Sequence, residues 1–218
     1  MMDAVSRGNF LCGIDEAGRG CLAGPVCAAA VVLPPDFPAE SLNDSKKLSE
    51  KKRYSLMRTV YAGAVSWGVG WASAAEIDAH NILRASLCAM QRAYDSCMRR
   101  LAERRGIPVA AAQAQTGAVA DGLFCPDVVC ASLEAVVKAD SKIPAVMAAS
   151  VLAKTARDKM MIRYSWLYPE YGYERHKGYG TARHLAVLES SGPSPIQRTT
   201  FRIRKSGFRI PLPHDDPH

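Results

Sequence analysis

Apolar positions along the chain set out a succession of strands and helices. Phe10 to Glu16 is an apolar run that ends on two carboxylates, and after a Gly-Arg-Gly turn Val26 to Leu33 is apolar again until Pro34-Pro35 closes it. Both read as strands. Ser49 is placed to cap a helix reaching about Val60, and Val65 to Ala72 alternates loosely as a third strand. Ser73 starts a short helix through Asp78. Leu83, Leu87, Met90, Tyr94 and Leu101 recur at helical spacing and predict a long helix over Ile82 to Arg104, ended by Gly106 and Pro108. The Ala- and Gln-rich stretch from Val109 to Gly117 carries no clear signal. Ala118 to Gly122 and Leu133 to Asp140 each read as a short strand finishing in an acid. Pro144 opens a second long helix to about Trp166, stopped by Tyr168-Pro169. Tyr171 to Gly180 is a Gly/Tyr-rich loop, and Thr181 caps a helix to about Ser190. Strands mixed with helices predict an α/β chain.

Composition narrows the picture. The 218 residues suit one domain with a helical extension, and 48% hydrophobic content supplies a full core. The expected division is a flexible start over 1–9, a single folded domain over 10–201 and a frayed tail over 202–218, basic and then rich in Pro, Asp and His. A net charge of +7 favours an anionic partner, nucleic acid first. Seven cysteines with no Cys-x-x-Cys pair argue against zinc and for a reducing cytoplasm. No apolar run nears the ~18 residues of a membrane span, and Met1 to Asn9 lacks the apolar stretch of a signal peptide.

The acids carry the candidate chemistry. Asp15-Glu16, Asp121 and Asp140 all fall where strand-like segments end, and in an open α/β sheet strand ends converge on one crevice. Four carboxylates packed together repel one another, which divalent cations such as Mg²⁺ or Mn²⁺ would relieve. Adjacent strand residues face opposite sides, so Asp15 and Glu16 share a site only if the strand bends or ends there. Lys46 and Lys47 are candidates for phosphate contact, while Lys51 to Arg53 read as a solvated charge run. Lys154 and Arg157 on the second long helix face phosphate or else pair with Asp158. His176 and His184 lack metal-ligand spacing and read as structural or solvated.

Two other readings compete. Gly18-x-Gly20-x-x-Ala23 after a strand fits a dinucleotide-binding fingerprint, but two acids beside a pyrophosphate and Pro25 in the expected helix exclude it. A basic binding protein without catalysis would leave the strand-end acids unexplained.

Gly13-Ile14-Asp15-Glu16-Ala17-Gly18-Arg19-Gly20 with Leu22-Ala23-Gly24-Pro25 resembles the opening of bacterial ribonuclease HII. The resemblance continues through Asn43-Asp44-Ser45-Lys46-Lys47, Glu76-Ile77-Asp78, Asp121-Gly122, Lys138-Ala139-Asp140-Ser141, Ala149-Ser150 and His176-Lys177-Gly178-Tyr179. It implies a ribonuclease H-like fold, a mixed five-stranded sheet flanked by helices with a helical C-terminal extension. It implies two Mg²⁺ or Mn²⁺ ions held by Asp15, Glu16, Asp121 and Asp140. The implied substrates are RNA/DNA hybrids and duplex DNA with embedded ribonucleotides, cut on the 5′ side of the ribonucleotide. Gly18, Arg19 and Gly20 fall on the family's junction reader, and Tyr179 on its partner. A monomer with no required protein partner and no membrane association is expected. Three stretches depart from the pattern: Leu123-Phe124 in place of a more polar pair, the 109–117 stretch, and Arg198-Thr199-Thr200-Phe201 in place of Arg-x-Ser-Phe.

Overall fold

A computed structural model describes residues 10–42 and 49–201. Lys46 and Lys47, the first nine residues and the tail from 202 lie outside the described residues. The apolar runs form β1 (Phe10–Ala17), β2 (Val26–Val32) and β3 (Ser66–Ala72). Two shorter strands follow, β4 (Thr116–Asp121) and β5 (Ser132–Val136). Their order is β3-β2-β1-β4-β5; β2 runs antiparallel to β1 and β3, whereas β1, β4 and β5 are parallel. The loop from Gly18 leads into a strand rather than a helix, since β2 begins directly after Pro25, and this rules out the dinucleotide fingerprint.

The helices start where capping side chains satisfy free amide groups. Ser49 accepts from Lys52 N to begin α1 (Glu50–Gly63). Ser73 and Glu76 form a reciprocal capping box for α2 (Ala74–His80). Asn81 caps α3 (Ile82–Arg105), which Gly106 ends in a left-handed conformation. The stretch without a sequence signal is a short helix, α4 (Val109–Ala114), leading into β4. α5 (Pro144–Leu167) is the second long helix, and a single turn α6 (Tyr173–His176) and α7 (Ala182–Ser191), capped by Thr181, form the helical C-terminal region.

Strand alternation divides the core. Cys12, Ile14, Ala28 and Ala30 pack toward α3, while Ala29 and Val31 pack toward α1 and α5. α5 packs closely on β1 at Gly13, where a Cβ would lie 2.2 Å from the Ala145 carbonyl carbon. Only glycine permits that approach, which sets the start of α5 beside Asp15. No helix among the described residues is long and apolar enough to cross a membrane.

One predicted strand is shorter than expected. β5 stops at Val136, and Lys138 takes a left-handed conformation at φ 57°. Asp140 is therefore delivered by a 3-10 turn over Ala139–Ser141, not by the strand itself. β5 is the last strand of the sheet, and after it the chain turns away into α5.

Candidate active site

The parallel pairing of β1 with β4 sets the register of the site. Ile14 lies opposite Ala120, so Asp15 and Asp121 follow at neighbouring strand ends. Asp140 arrives from the turn beyond β5, where Ala139 N donates to Asp121 Oδ1 at 2.7 Å and ties the two segments together. One carboxylate oxygen from each of Asp15, Asp121 and Asp140 lies within 4.8 Å of the other two. Asp15 is 4% exposed. Burial pushes its carboxyl well above the usual range, and the charges of Glu16 and Asp121 push it further. A hydroxyl bond from Ser150 on α5 and the Glu16 amide, which donates to Oδ1 at 2.8 Å, act in the opposite direction. Three oxygen donors whose charges oppose one another fit a hard divalent cation.

Glu16 is not among the three. β1 continues one residue past it to Ala17, and its side chain turns to Arg19, Nη1 to Oε1 3.1 Å. Its second oxygen is buried and meets no hydrogen-bond partner among the described residues. Burial raises the Glu16 pKa, Arg19 lowers it, and the Asp121 charge raises it. Glu16 therefore stands at the edge of the acid group, within reach of its field, while bonded to a cation.

A cleft of about 260 Å³ opens beside Glu16 and Ser150. Glu16, Gly18, Arg53, Ser150, Lys154 and Tyr179 line it. Lys154 Nζ lies 2.7 Å and Arg53 Nη1 3.2 Å from opposite oxygens of Asp158, which is nearly buried. One acid thus holds two cations at the cleft. Arg53 is not the solvated charge that its place in a basic run suggests. Only its distance from Asp158 in sequence, 105 positions, hid this. Ser150 was visible in the sequence only as part of the resemblance. Tyr179 is 43% exposed, with the Lys154 ammonium 5.7 Å from its ring centre.

The Gly18-Arg19-Gly20 loop rests on buried cations. Gly18 adopts φ 100°, and a Cβ there would fall 1.9 Å from Arg157 Nε. Arg157 neither faces phosphate nor pairs with Asp158. It is fully buried and donates to the carbonyls of Pro25 (3.0 Å), Lys177 (2.9 Å) and Ala23 (3.2 Å). Arg198 too is fully buried. Burial, with Arg157 nearby, pulls its pKa down to about 10, so it stays charged at neutral pH. Gly178 N–H donates to His176 Nδ1 at 3.2 Å, and the His176 ring stacks on His184 at 4.5 Å between centres. His184 Nδ1 meets Tyr179 O at 3.0 Å, so both histidines are structural supports of the Tyr179 loop.

The family model for ribonuclease HII matches residues 12–204. The chain belongs to the ribonuclease HII family. A ribonuclease HII of Treponema denticola is 54% identical over 197 residues, covering 89% of this chain and 99% of the relative. One of Dechloromonas aromatica is 50% identical over 204 residues, 92% and 95% of the two chains. The ribonuclease HII solved in complex with PCNA from Archaeoglobus fulgidus is 26% identical at a TM-score of 0.62, covering 90% of this chain and 96% of that one. The ribonuclease H2 of Pyrococcus horikoshii, 23% identical with a TM-score of 0.63, covers 88% and 93% and shares the fold. As a ribonuclease HII the chain is an enzyme of the ribonuclease H class, built on the mixed five-stranded sheet described above.

Proposed function

We propose that this enzyme hydrolyses the RNA strand of RNA/DNA hybrids and cuts duplex DNA on the 5′ side of an embedded ribonucleotide, leaving a 5′-phosphomonoester. The convergence of Asp15, Asp121 and Asp140 within 4.8 Å carries the reading. In it these three acids and Glu16 hold two Mg²⁺ or Mn²⁺ ions. Bound there, the ions would activate the attacking water and neutralise the leaving oxygen.

The chain's own residues do the rest. Asp15 is kept in place by Ser150 and the Glu16 amide, with one of its oxygens within 4.8 Å of those of Asp121 and Asp140. Arg19 is 44% exposed and bonded to Glu16, so a substrate phosphate that draws Arg19 away frees Glu16 to complete the acid set. Lys154 and Arg53 meet the phosphate backbone. Lys46, outside the described residues, takes the same role in this reading. Gly18, Arg19 and Gly20 approach the ribose, whose 2′-hydroxyl separates RNA from DNA. Tyr179 stacks against the adjoining nucleotide. All seven cysteines are free thiols, which suits a reducing cytoplasm. The complex of the archaeal relative contains PCNA, whereas this reading needs no second protein and a monomer suffices.

The test uses duplex DNA with one ribonucleotide and a long hybrid, each with Mn²⁺, with Mg²⁺ and with EDTA. Cleavage on the 5′ side of the single ribonucleotide, dependent on metal, is expected. Cleavage that persists in EDTA, or a duplex left whole, refutes the reading.

A further inference from the structure

Arg198 sends each nitrogen of its guanidinium to a different carbonyl of the loop that the functional reading places against ribose. Nη2 donates to Gly18 O at 2.7 Å, Nη1 to Arg19 O at 2.9 Å and Nε to Gly24 O at 2.9 Å. Its own backbone N–H reaches Leu22 O at 2.9 Å. A trans peptide is planar, with its C=O and N–H pointing in opposite directions. Pulling the Gly18 and Arg19 carbonyls inward therefore turns the N–H groups of Arg19 and Gly20 outward. Both residues are exposed, and neither N–H meets an acceptor among the described residues.

The segment carrying Arg198 is itself pinned. Asp78 at the end of α2 receives four hydrogen bonds from the next two residues. Thr199 gives its N–H and its hydroxyl to Oδ2, each at 2.9 Å. Thr200 gives its N–H to Oδ1 at 3.0 Å and its hydroxyl at 2.7 Å. Arg157 holds the following stretch of the same loop from the other side through Ala23 O and Pro25 O. Only a planar fork of five donors satisfies three carbonyls arranged in this way; a lysine ammonium keeps the charge but not the span.

We propose that Arg198, anchored through Asp78, is a positioning residue that aims the Arg19 and Gly20 amide groups at the substrate's ribose and phosphate oxygens. The proposal rests on the functional reading of the Gly18-Arg19-Gly20 loop. A misaimed loop misplaces the scissile phosphate without removing the cations of the cleft, so kcat falls while KM holds.

The experiment compares wild type, Arg198→Lys, Gly20→Ala and the double variant on the single-ribonucleotide duplex and on a long hybrid, with melting temperature measured with and without Mn²⁺. Losing hydrogen bonds to a charged donor is worth roughly a 10- to 100-fold fall in kcat for Arg198→Lys. KM should stay within about threefold and the Mn²⁺-induced rise in melting temperature should persist. The double variant should be no slower than about the slower single variant, because both act through one loop. Wild-type kcat in Arg198→Lys, or effects that multiply in the double variant, overturns the proposal. If Arg198→Lys does not fold, Asp78→Asn takes its place under the same two criteria. A wild-type enzyme that ignores the single ribonucleotide refutes the substrate reading alone, and the cycle on the long hybrid still decides the role of Arg198.

Discussion

Asp15→Asn should stabilise the metal-free protein and abolish its response to metal. The acid is 4% exposed and sits within 4.8 Å of two other carboxylates, measured oxygen to oxygen. At an effective dielectric constant of about 20, two charges at 4.8 Å repel by about 3.5 kcal/mol, and the substitution removes two of the three such pairs. The raised pKa of Asp15 limits the cost actually borne, because protonation relieves it first. Protonation therefore leaves a net gain smaller than that repulsion, on the order of 1–2 kcal/mol. That is about 2–8 °C in melting temperature for a chain of this size. The asparagine oxygen can still accept from Ser150 or the Glu16 amide, so packing is kept. In wild type, Mn²⁺ at a hundred times its Kd adds about 2.7 kcal/mol, or roughly 5–11 °C. Differential scanning fluorimetry in EDTA and across an Mn²⁺ titration reads both quantities. If the variant melts more than about 5 °C below wild type in EDTA, or keeps the full Mn²⁺ shift, Asp15 is a structural acid and the metal assignment is wrong.

Gly18→Ala and Gly20→Ala should separate folding from reading. Strain at a positive φ costs about 1–3 kcal/mol, and the Gly18 Cβ also meets Arg157, so Gly18→Ala lowers the melting temperature by several degrees. A Cβ at Gly20 meets nothing within 4 Å, so Gly20→Ala melts like wild type and loses cleavage; normal cleavage would remove this loop from substrate contact. Tyr179→Ala should weaken binding of an uncleaved duplex in Ca²⁺ by about 10- to 100-fold, the worth of one stacked base, and unchanged affinity measured by fluorescence anisotropy would place the ring elsewhere. His184 is buried and its pKa is lowered to about 4 from a free value near 6.5. The unfolded chain then binds the extra proton, so this stability is complete above about pH 6.5 and is lost as pH falls toward about 4. Near pH 5 the loss is about 2 kcal/mol, and melting curves of His184→Gln between pH 7.5 and pH 5 should be flatter than those of wild type.

The local elements were written into the sequence. Apolar runs placed β1 and β2, helical spacing placed α3, and Pro144 marked the start of α5, each within a residue or so, because such signals lie within a short window of the chain. Ser49, Ser73 and Thr181 marked helix starts because a cap bonds an amide only three residues away. Asp15 and Asp121 at strand ends were legible for the same local reason. Tertiary structure alone decided the rest. Asp140 joins the acids only because Lys138 turns left-handed after β5, where the strand pattern runs on uninterrupted. Glu16 turns to Arg19 only three residues on, but that it stands in the field of Asp121 follows from the pairing of β1 with β4. Arg157 read as facing phosphate or pairing with Asp158, and nothing in the sequence marked Arg198 as buried. Their partners are backbone carbonyls up to 180 positions away, and a carbonyl is common to every residue, so it leaves no mark in the sequence of the chain that supplies it.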